Sequence, residues 1–255
     1  MDMELERTVL RFSYGITHHF EVGLELPFLS FSGGFLDSFV QGFHNTFGFP
    51  NGGRNLVSNG RFSYRVTRDG ATLYQVRSSP FQPSDLVLTQ KLSILDETIG
   101  VPAMTARTSI KLPTGSTSDG TGSGRPDFGF SLLAEKSYKR LHSYSQIGFL
   151  VLGGDEKLSP ILRKGASLFS QAFEFNLLEH LSFVGQVDVV SSIFKHSTIA
   201  EVSEAAVDLT FGFTGMVPLK DSCHQIFYRA SFTEDPTGSG PSVDFTTLFN
   251  VGIEY

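Results

Sequence analysis

The sequence predicts an all-β fold: a transmembrane, antiparallel, up-and-down β-barrel of about 12–14 strands with one short amphipathic helix in a long loop. Three observations support this prediction. Many segments alternate apolar and polar residues with the period of two that a strand requires. The connections between these segments alternate between short and long. The mean hydropathy is close to zero, as expected when one face of each strand meets lipid and the other meets water.

The composition restricts the class of protein further. Charged residues make up 18% of the 255 residues, below the roughly 25% that is typical of soluble domains. The length suits a single barrel domain over residues 1–255. The formal net charge of −6 offers no basic footprint for nucleic acid, and a single cysteine excludes an intrachain disulfide. A soluble β-sandwich is the main alternative fold, and solubility without detergent would favour it.

Thirteen segments are predicted strands: twelve pair into six hairpins, and the last ends the chain. The predicted strands are residues 4–16 with 20–31, 59–68 with 71–77, 86–95 with 102–112, 127–138 with 141–153, 165–177 with 180–192, 204–217 with 223–233, and the final strand 243–255. Residues 69–70, Asp-Gly, are a typical type I′ hairpin turn. Residues 78–85 and 194–203 are predicted loops, because Pro80 and Pro83 interrupt the first of them.

The final strand has one apolar face. Its outward residues Phe249, Val251, Ile253 and Tyr255 lead to an aromatic C-terminus, and this ending resembles the signal by which bacterial outer-membrane barrels are recognised for assembly. If the strand ends in the periplasm, the loop alternation places the start of residues 4–16 on the outer side. Single-chain bacterial barrels have even strand numbers. We therefore expect a further strand and a signal peptide before residue 1, and that strand would close the barrel.

A short helix is predicted in the long loop of residues 33–58. Phe35, Phe39, Phe43 and Phe47 recur at helical spacing, and Gly48 is a typical helix stop. The helix is too short to span a membrane. Two interpretations stay open: a plug or gate at the barrel mouth, or a structural element that caps the rim or lies in the outer leaflet.

Charged and polar residues alternate with apolar ones in the predicted strands. In contact with lipid such residues would each cost several kcal/mol, so they are expected to face the lumen. The lumen-lining candidates are Arg11, Glu21, Glu25, Arg107, Lys111, Asp188, Asp208, Arg229 and Asn250. They predict either a polar channel with walls of mixed charge or a closed lumen in which the charges pair and only stabilise the barrel.

No arrangement of residues predicts catalysis, a cofactor or a metal site. The glycine-rich residues 119–125 lack the Lys-Ser/Thr of a phosphate-binding P-loop, and a flexible extracellular loop is the better interpretation. His196 lies beside Ser197, but adjacency in sequence is not the geometry of a nucleophilic triad, and no other pattern indicates a Ser/His pair with an orienting acid. His18 and His19 have no further ligand beside them to hold a metal. We therefore expect no enzyme activity.

Several longer stretches carry a resemblance to a known family. They are YGITHHFEVGLELPF (residues 14–28), GGFLDSFVQGFHNTFGFPNGGR (33–54), KLPTGS with GSGRPDFGFSLL (within 111–133), and VDFTTLFNVGIEY (243–255). Together they resemble a family of uncharacterised bacterial outer-membrane proteins that contain a domain of unknown function. The resemblance implies a β-barrel in the outer membrane of a Gram-negative bacterium. It brings no established activity, so no catalytic residues can be carried over. We expect the region that precedes the first hairpin in this family to be missing from this chain.

These expectations lead to one function and two alternatives. We expect a channel or conduit for small solutes, with the helix-bearing loop restricting its mouth. The first alternative is a structural barrel with a closed lumen that binds a periplasmic or extracellular protein. The second, a lipid-modifying barrel enzyme, has less support. The expected partners are outer-membrane lipid and the barrel-assembly machinery.

Overall fold

The computed structural model describes residues 3–49, 56–68, 70–154, 161–195, 200–219, 224–237, 240 and 245–254. The described chain is all-β, with a 12-stranded antiparallel sheet, a separate two-stranded hairpin and two short helices. The elements in chain order are β1 (Glu4–Thr17), β2 (Phe20–Ser32), α1 (Asp37–Phe47), β3 (Tyr64–Arg68), β4 (Ala71–Val76), β5 (Ser79–Pro83), β6 (Leu86–Leu95), β7 (Ala103–Leu112), β8 (Asp127–Tyr138), β9 (Leu141–Val151), β10 (Gly165–Leu178), β11 (Leu181–Val190), α2 (Ala200–Ser203), β12 (Ala206–Pro218), β13 (Gln225–Glu234) and β14 (Phe245–Glu254).

The large sheet is a meander in which strands adjacent in sequence pair with each other, except that β2 pairs with β6 across the intervening hairpin. The order is β1-β2-β6-β7-β8-β9-β10-β11-β12-β13-β14, and β5 also pairs with one end of β2. Short turns join the strands at one end of the sheet, such as Lys139–Arg140 between β8 and β9, where Lys139 has a φ of 56°. The long connections, including the one that carries α1, lie at the opposite end.

The sheet is curled into a half-barrel. Arg229 on β13 lies within electrostatic range of Tyr144 on β9. Four strand spacings, about 19 Å along a flat sheet, would separate these strands. The two side chains therefore approach each other across the concave side. Directly opposite residues on neighbouring strands point to the same face of a sheet. The cross-strand partners of Tyr144 and Arg229 therefore identify the concave-face residues on each neighbouring strand in turn.

The two faces of the curled sheet differ in chemistry. Cross-strand partners on the convex face are mostly apolar, as in the pairs Phe130–Phe149 and Phe213–Ala230. Many of these side chains are exposed, and Phe249 is 82% exposed. The concave face instead carries the ionised and amide side chains described below. Burial of the core is correspondingly sparse, because a single curled sheet has no second layer over most of its outer face.

The two edges of the sheet, β1 and β14, run in the same direction and do not pair with each other in the described residues. They nevertheless approach the same helix. The Leu36 backbone N–H, just before α1, donates to the Glu4 carboxylate on β1 (2.5 Å). One turn later, the Phe39 ring lies 5.6 Å from the Phe245 ring on β14. The sheet therefore curls far enough for both edges to reach the first turn of α1.

Most strand predictions are confirmed, and β6 and β8 have the predicted bounds. The helix is confirmed over Asp37–Phe47, with Gly48 in the left-handed conformation (φ 80°) at its C-terminus. Closure of the sheet into a full barrel is not seen among the described residues, and the expectation of a further N-terminal strand stays a prediction. None of the described helices is long and apolar enough to cross a membrane.

One part of the predicted topology is wrong. Residues 59–68 and 71–77 were expected to be wall strands, but they form the small hairpin β3–β4 outside the large sheet. The reason is that β2 pairs directly with β6, through Phe20–Leu92 to Glu25–Val87, and leaves no place between them. Two predicted loops also contain regular structure: β5 lies within residues 78–85, and α2 lies within residues 194–203. β5 tolerates its prolines because it is a short strand at the edge of the sheet.

Candidate functional site

The concave face contains a cluster of arginines around one carboxylate. Glu25 on β2 is only 8% exposed. Arg11 on β1 donates to it (Nε–Oε1 3.1 Å), Arg107 on β7 lies 3.6 Å from the same oxygen, and Arg7 lies 4.0 Å from the other oxygen. These residues meet because β1 and β2 pair directly while Arg107 reaches across β6. The cluster has a formal excess of positive charge, since several guanidinium groups share one carboxylate.

A second ion-pair group lies towards the long-loop end of the same wall. Lys111 on β7 contacts Asp127 on β8 (2.6 Å) and Asp85 (3.1 Å). Asp85 is 4% exposed and also accepts hydrogen bonds from the backbone N–H groups of Gly115 (2.9 Å) and Ser123 (3.1 Å). It therefore fixes the connection between β7 and β8 against the sheet. Nearer the short-turn end, Lys91 on β6 pairs with Glu21 on β2 (2.8 Å).

The connection 113–126 is thereby packed and does not project freely. A Cβ atom added to Gly122 would lie 2.5 Å from the Asp85 Oδ1 atom and 2.8 Å from the Gly115 carbonyl carbon. Thr121 is buried and accepts a hydrogen bond from the Ser116 backbone N–H (2.9 Å). Within the glycine-rich residues 119–125, which were interpreted as a flexible loop, Gly122 lets the backbone approach Asp85 this closely.

The opposite wall of the concave face is richer in carboxylates and amides. Tyr144 donates to Glu174 (3.1 Å), and the two Gln186 Nε2 hydrogen bonds to Asp188 measure 2.9 and 2.7 Å. Asp188 on β11 stands directly opposite Asp208 on β12 in the register. Like charges in such a position repel each other. The concave face therefore has arginines near β1, β2 and β7 and acids from β10 to β12, where Arg229 on β13 also approaches Tyr144.

The β3–β4 hairpin covers the concave side of β2 at the long-loop end. Phe31 belongs to the same face of β2 as Glu25, by the unbroken register with β1. The Tyr64 ring lies 6.0 Å from the Phe31 ring, and Phe31 is 3% exposed. Val76, the cross-strand partner of Tyr64, is equally buried and packs against Gly120. Burial in this layer raises the pKa of Tyr64.

The other face of the hairpin carries arginines. A cleft of about 360 Å³ is lined by Arg61, Arg65 and Arg77 together with Gln75. Arg65 and Gln75 are cross-strand partners next to the Tyr64–Val76 pair, so their side chains lie on the opposite face of the hairpin. Arg61 and Arg77 lie just outside the two strands, and Tyr64 and Val76 also border the cleft. Within the described part of the chain, none of the three guanidinium groups lies in an ion pair. A second cleft of about 530 Å³ adjoins it through Gln75 and Arg77 and reaches the connection 113–126 at Ser118.

Helix α1 lies on the other side of the sheet. The Phe43 ring lies 5.9 Å from Phe232 and 5.7 Å from Phe245, which both belong to the convex face of β13 and β14. Next to it, His44 Nε2 lies 3.3 Å from a carboxylate oxygen of Glu234. This placement agrees with the interpretation of α1 as a rim or outer-leaflet element. The helix does not enter the concave side, where a plug would lie.

The predicted site residues are distributed as follows. The lumen-lining candidates all lie at concave-face positions of the register: Arg11, Glu21, Glu25, Arg107, Lys111, Asp188, Asp208, Arg229 and Asn250. Of the helix candidates, Phe39 and Phe43 contact β14, whereas Phe35 and Phe47 are largely exposed. Phe249, Val251 and Ile253 are exposed on the convex face, and Tyr255 lies outside the described residues.

Sequence reasoning missed several residues that organise this site. Asp85 was included in a loop, and Glu234 was assigned to a connection, although both are almost completely buried. A signal was present for Asp85. It immediately precedes the apolar strand β6, and antiparallel pairing of β6 with β7 brings it close to Lys111, which could have indicated an ion pair. No local pattern could have indicated Glu234, since its partner His44 is distant in sequence. Among the described residues, no group of three histidine, cysteine or acidic side chains could hold a metal ion.

A curled antiparallel sheet with an apolar convex face and a polar concave face defines a β-barrel-like, all-β protein. The sequence matches a family model over residues 1–225, most of the chain. The chain therefore belongs to the DUF3187 family, which is described as "Protein of unknown function". No curated protein matches the sequence significantly.

Proposed function

We propose that the protein is an outer-membrane β-barrel that conducts small solutes through the space enclosed by its sheet. The observation that carries this proposal is the opposite chemistry of the two faces. Phenylalanines and aliphatic residues are exposed on the convex face, and ion pairs line the concave face. In a water-soluble protein such an exposed apolar surface would be covered. In a bilayer it is the surface that meets the acyl chains, while the charged residues avoid lipid by facing inward.

Strand length supports the same location. Apart from the short β3, β4 and β5, the strands have from 10 to 14 residues. A strand tilted by about 45° needs roughly 9–11 residues to cross the hydrocarbon core. The short turns at one end and the long connections at the other match the asymmetry of outer-membrane barrels. We therefore place the α1-bearing connection and the β3–β4 hairpin at the extracellular mouth.

The element that restricts the mouth in this proposal is the β3–β4 hairpin. It lies on the concave side, where it covers Phe31 and abuts the connection 113–126 at Gly120. The predicted role of the helix as a gate has less support, because α1 packs on the convex face against Phe232 and Phe245. In this position α1 would lie at the outer leaflet and hold the two sheet edges together.

Planar-bilayer recording with the full-length protein tests the conducting function. A matched variant would replace residues 61–78 by a short Gly-Ser linker. We expect ion conductance from the wild-type protein and a larger single-channel conductance from the variant, because the hairpin no longer narrows the mouth. Co-flotation with vesicles supplies the insertion control. Stable insertion without conductance in either protein would overturn the channel, and solubility without detergent would overturn the membrane location.

A structural barrel with a closed lumen is the second candidate. It is favoured by the density of ion pairs on the concave face, since Glu25 alone is shared by Arg7, Arg11 and Arg107. Such pairing stabilises a wall without requiring a solute. The same recordings separate the two candidates, because a closed lumen predicts insertion with no conductance even after the hairpin has been removed.

A further inference from the structure

We propose that the arginine-lined cleft on the β3–β4 hairpin binds a small polyvalent oxyanion, such as a tricarboxylate or phosphate, as it enters the mouth. The inference deepens the proposed channel function by naming the chemical class of its solute. The statement that the anion passes this cleft on its way into the barrel rests on the proposed channel function. The cleft itself, formed by Arg61, Arg65, Arg77 and Gln75, can be tested without any measurement of transport.

The charge of the cleft is the first argument. Its guanidinium groups are exposed, and within the described residues none of them is neutralised by a carboxylate. This is unusual in a chain whose formal net charge is −6. Guanidinium groups present planar, bidentate donors that match carboxylate and phosphate oxygens. Unpaired arginines around one concavity therefore favour an oxyanion over a cation or a neutral sugar.

The geometry of the hairpin is the second argument. Tyr64 packs against Phe31 of the sheet, and Val76 packs against Gly120 of the connection 113–126. These contacts fix the opposite face of the hairpin, which carries Arg65 and Gln75, in one orientation. A binding face on a packed hairpin loses little conformational entropy when it binds a ligand. The cleft of about 360 Å³ falls within the range of small-molecule sites, roughly 300–1,000 Å³.

The position of the deeper arginines is the third argument. Along the concave face of β2, the hairpin covers Phe31, Leu29 is paired with Arg7, and Glu25 is paired with Arg11. From Phe31 to Glu25 the strand rises about 20 Å. The arginine cluster around Glu25 therefore continues the positive wall below the hairpin. An anion leaving the cleft would meet further guanidinium groups on the same side, whereas the acids of β10 to β12 lie on the opposite wall.

Isothermal titration of citrate into the full-length protein in an uncharged detergent tests the proposal. At low ionic strength we expect saturable binding that weakens as salt is added, because exposed charges are screened. Arg65→Gln and Arg77→Gln should each weaken binding about tenfold or more, since each removes a charge-assisted contact. Arg65→Lys should have an intermediate effect. Arg140→Gln, in the turn between β8 and β9, removes the same charge elsewhere and should bind citrate like the wild type.

Each result has one meaning for the proposal. Absence of citrate binding to the wild type, or equal binding by the Gln variants, overturns it. Zwitterionic vesicles with and without an anionic phospholipid provide a lipid arm: if the Gln variants lose only lipid binding, the soluble-anion proposal is wrong. Because titration does not require conductance, citrate binding in a protein that fails to conduct would preserve the oxyanion site and overturn only the channel. Conductance without citrate binding would preserve the channel and overturn only the oxyanion site.

Discussion

His44 Nε2 on α1 lies 3.3 Å from a carboxylate oxygen of Glu234 on β13, and each residue is only 1% exposed. This contact joins the connection after the second strand to the last hairpin of the sheet. It occurs on the convex face, beside the ring contacts of Phe43 with Phe232. Because α1 also meets Glu4 on β1, the pair anchors a helix that spans the two edges of the sheet.

His44→Ala should release α1 from the sheet. Removing one partner of a buried polar pair costs about 1–3 kcal/mol. We expect the α1 amide protons to exchange about tenfold faster or more with solvent in hydrogen-exchange mass spectrometry, since a factor of ten corresponds to about 1.4 kcal/mol. The strands far from α1, such as β8, should keep their protection.

Two further variants make this result interpretable. Thr46→Ala changes an exposed residue of the same helix, whose hydroxyl donates to the Gly42 carbonyl within the helix, and should leave exchange nearly unchanged. Glu234→Gln keeps the shape of the partner and removes its charge, so it should loosen α1 in the same direction as His44→Ala. Equal exchange in His44→Ala and Thr46→Ala would show that the pair does not anchor the helix.

The position of α1 across the sheet edges can be tested by cross-linking. Cysteines at Phe39 and Phe245, in a Cys223→Ser background, should be joined by a short bis-maleimide, because their rings are 5.6 Å apart. The control pair combines Phe39→Cys with Leu88→Cys, which lies on the convex face of β6 far from α1. Rapid cross-linking of the first pair alone is expected. Equal rates for both pairs would place the helix elsewhere.

The sequence could predict single strands far better than their partners. The alternation in residues 127–138 predicted β8 with the observed bounds, since one polar face and one apolar face are local properties. The Asp-Gly turn likewise predicted that β3 and β4 pair with each other. Nothing local indicates that this hairpin leaves the wall. That outcome depends on the Phe20–Leu92 register between β2 and β6, which joins strands separated by several elements.

The candidate site shows the same division. The concave-face positions of Arg11, Glu25 and Arg107 follow from the period of two. Their convergence on one carboxylate does not, because it requires the curl of the sheet and the reach of Arg107 across β6. The helical spacing of Phe39 and Phe43 predicted an apolar contact but not its location. The spacing of apolar residues in a sequence shows which face of a helix or strand is apolar. Which other part of the protein covers that face is decided by tertiary packing.

Gly122→Ala should loosen the connection between β7 and β8. The new Cβ atom would lie 2.5 Å from the Asp85 Oδ1 atom, and it would also meet the Gly115 backbone. Such overpacking costs about 1–3 kcal/mol. We expect a lower unfolding midpoint and faster proteolysis within residues 113–126. Gly100→Ala is the matched control, because a Cβ atom at Gly100 meets no atom within 4 Å. Identical proteolysis of the two variants would contradict the packed conformation of this connection.

Glu97, in the short turn between β6 and β7, should titrate below its usual range. Its Oε1 atom accepts a hydrogen bond from the Ser137 backbone N–H (2.9 Å) and lies 3.1 Å from the Lys136 ammonium group. The backbone hydrogen bond is the larger cause of the lowered pKa, and the hydrogen bond from Lys136 is the second. Both favour the charged carboxylate.

The direction of the pH dependence follows from this shift. Because the folded-state pKa is lowered, the contribution of Glu97 to stability is fully present above the pKa of the unfolded chain, and it is lost as the pH falls through the folded-state pKa. Carboxyl ¹³C NMR of labelled protein should show a low midpoint in the wild type. Lys136→Met should raise this midpoint only partly, since the Ser137 hydrogen bond is retained. Lys139→Met removes a nearby charge that does not contact Glu97, and should leave the midpoint close to that of the wild type. A wild-type midpoint at the value of a free glutamate would refute the hydrogen-bonded turn.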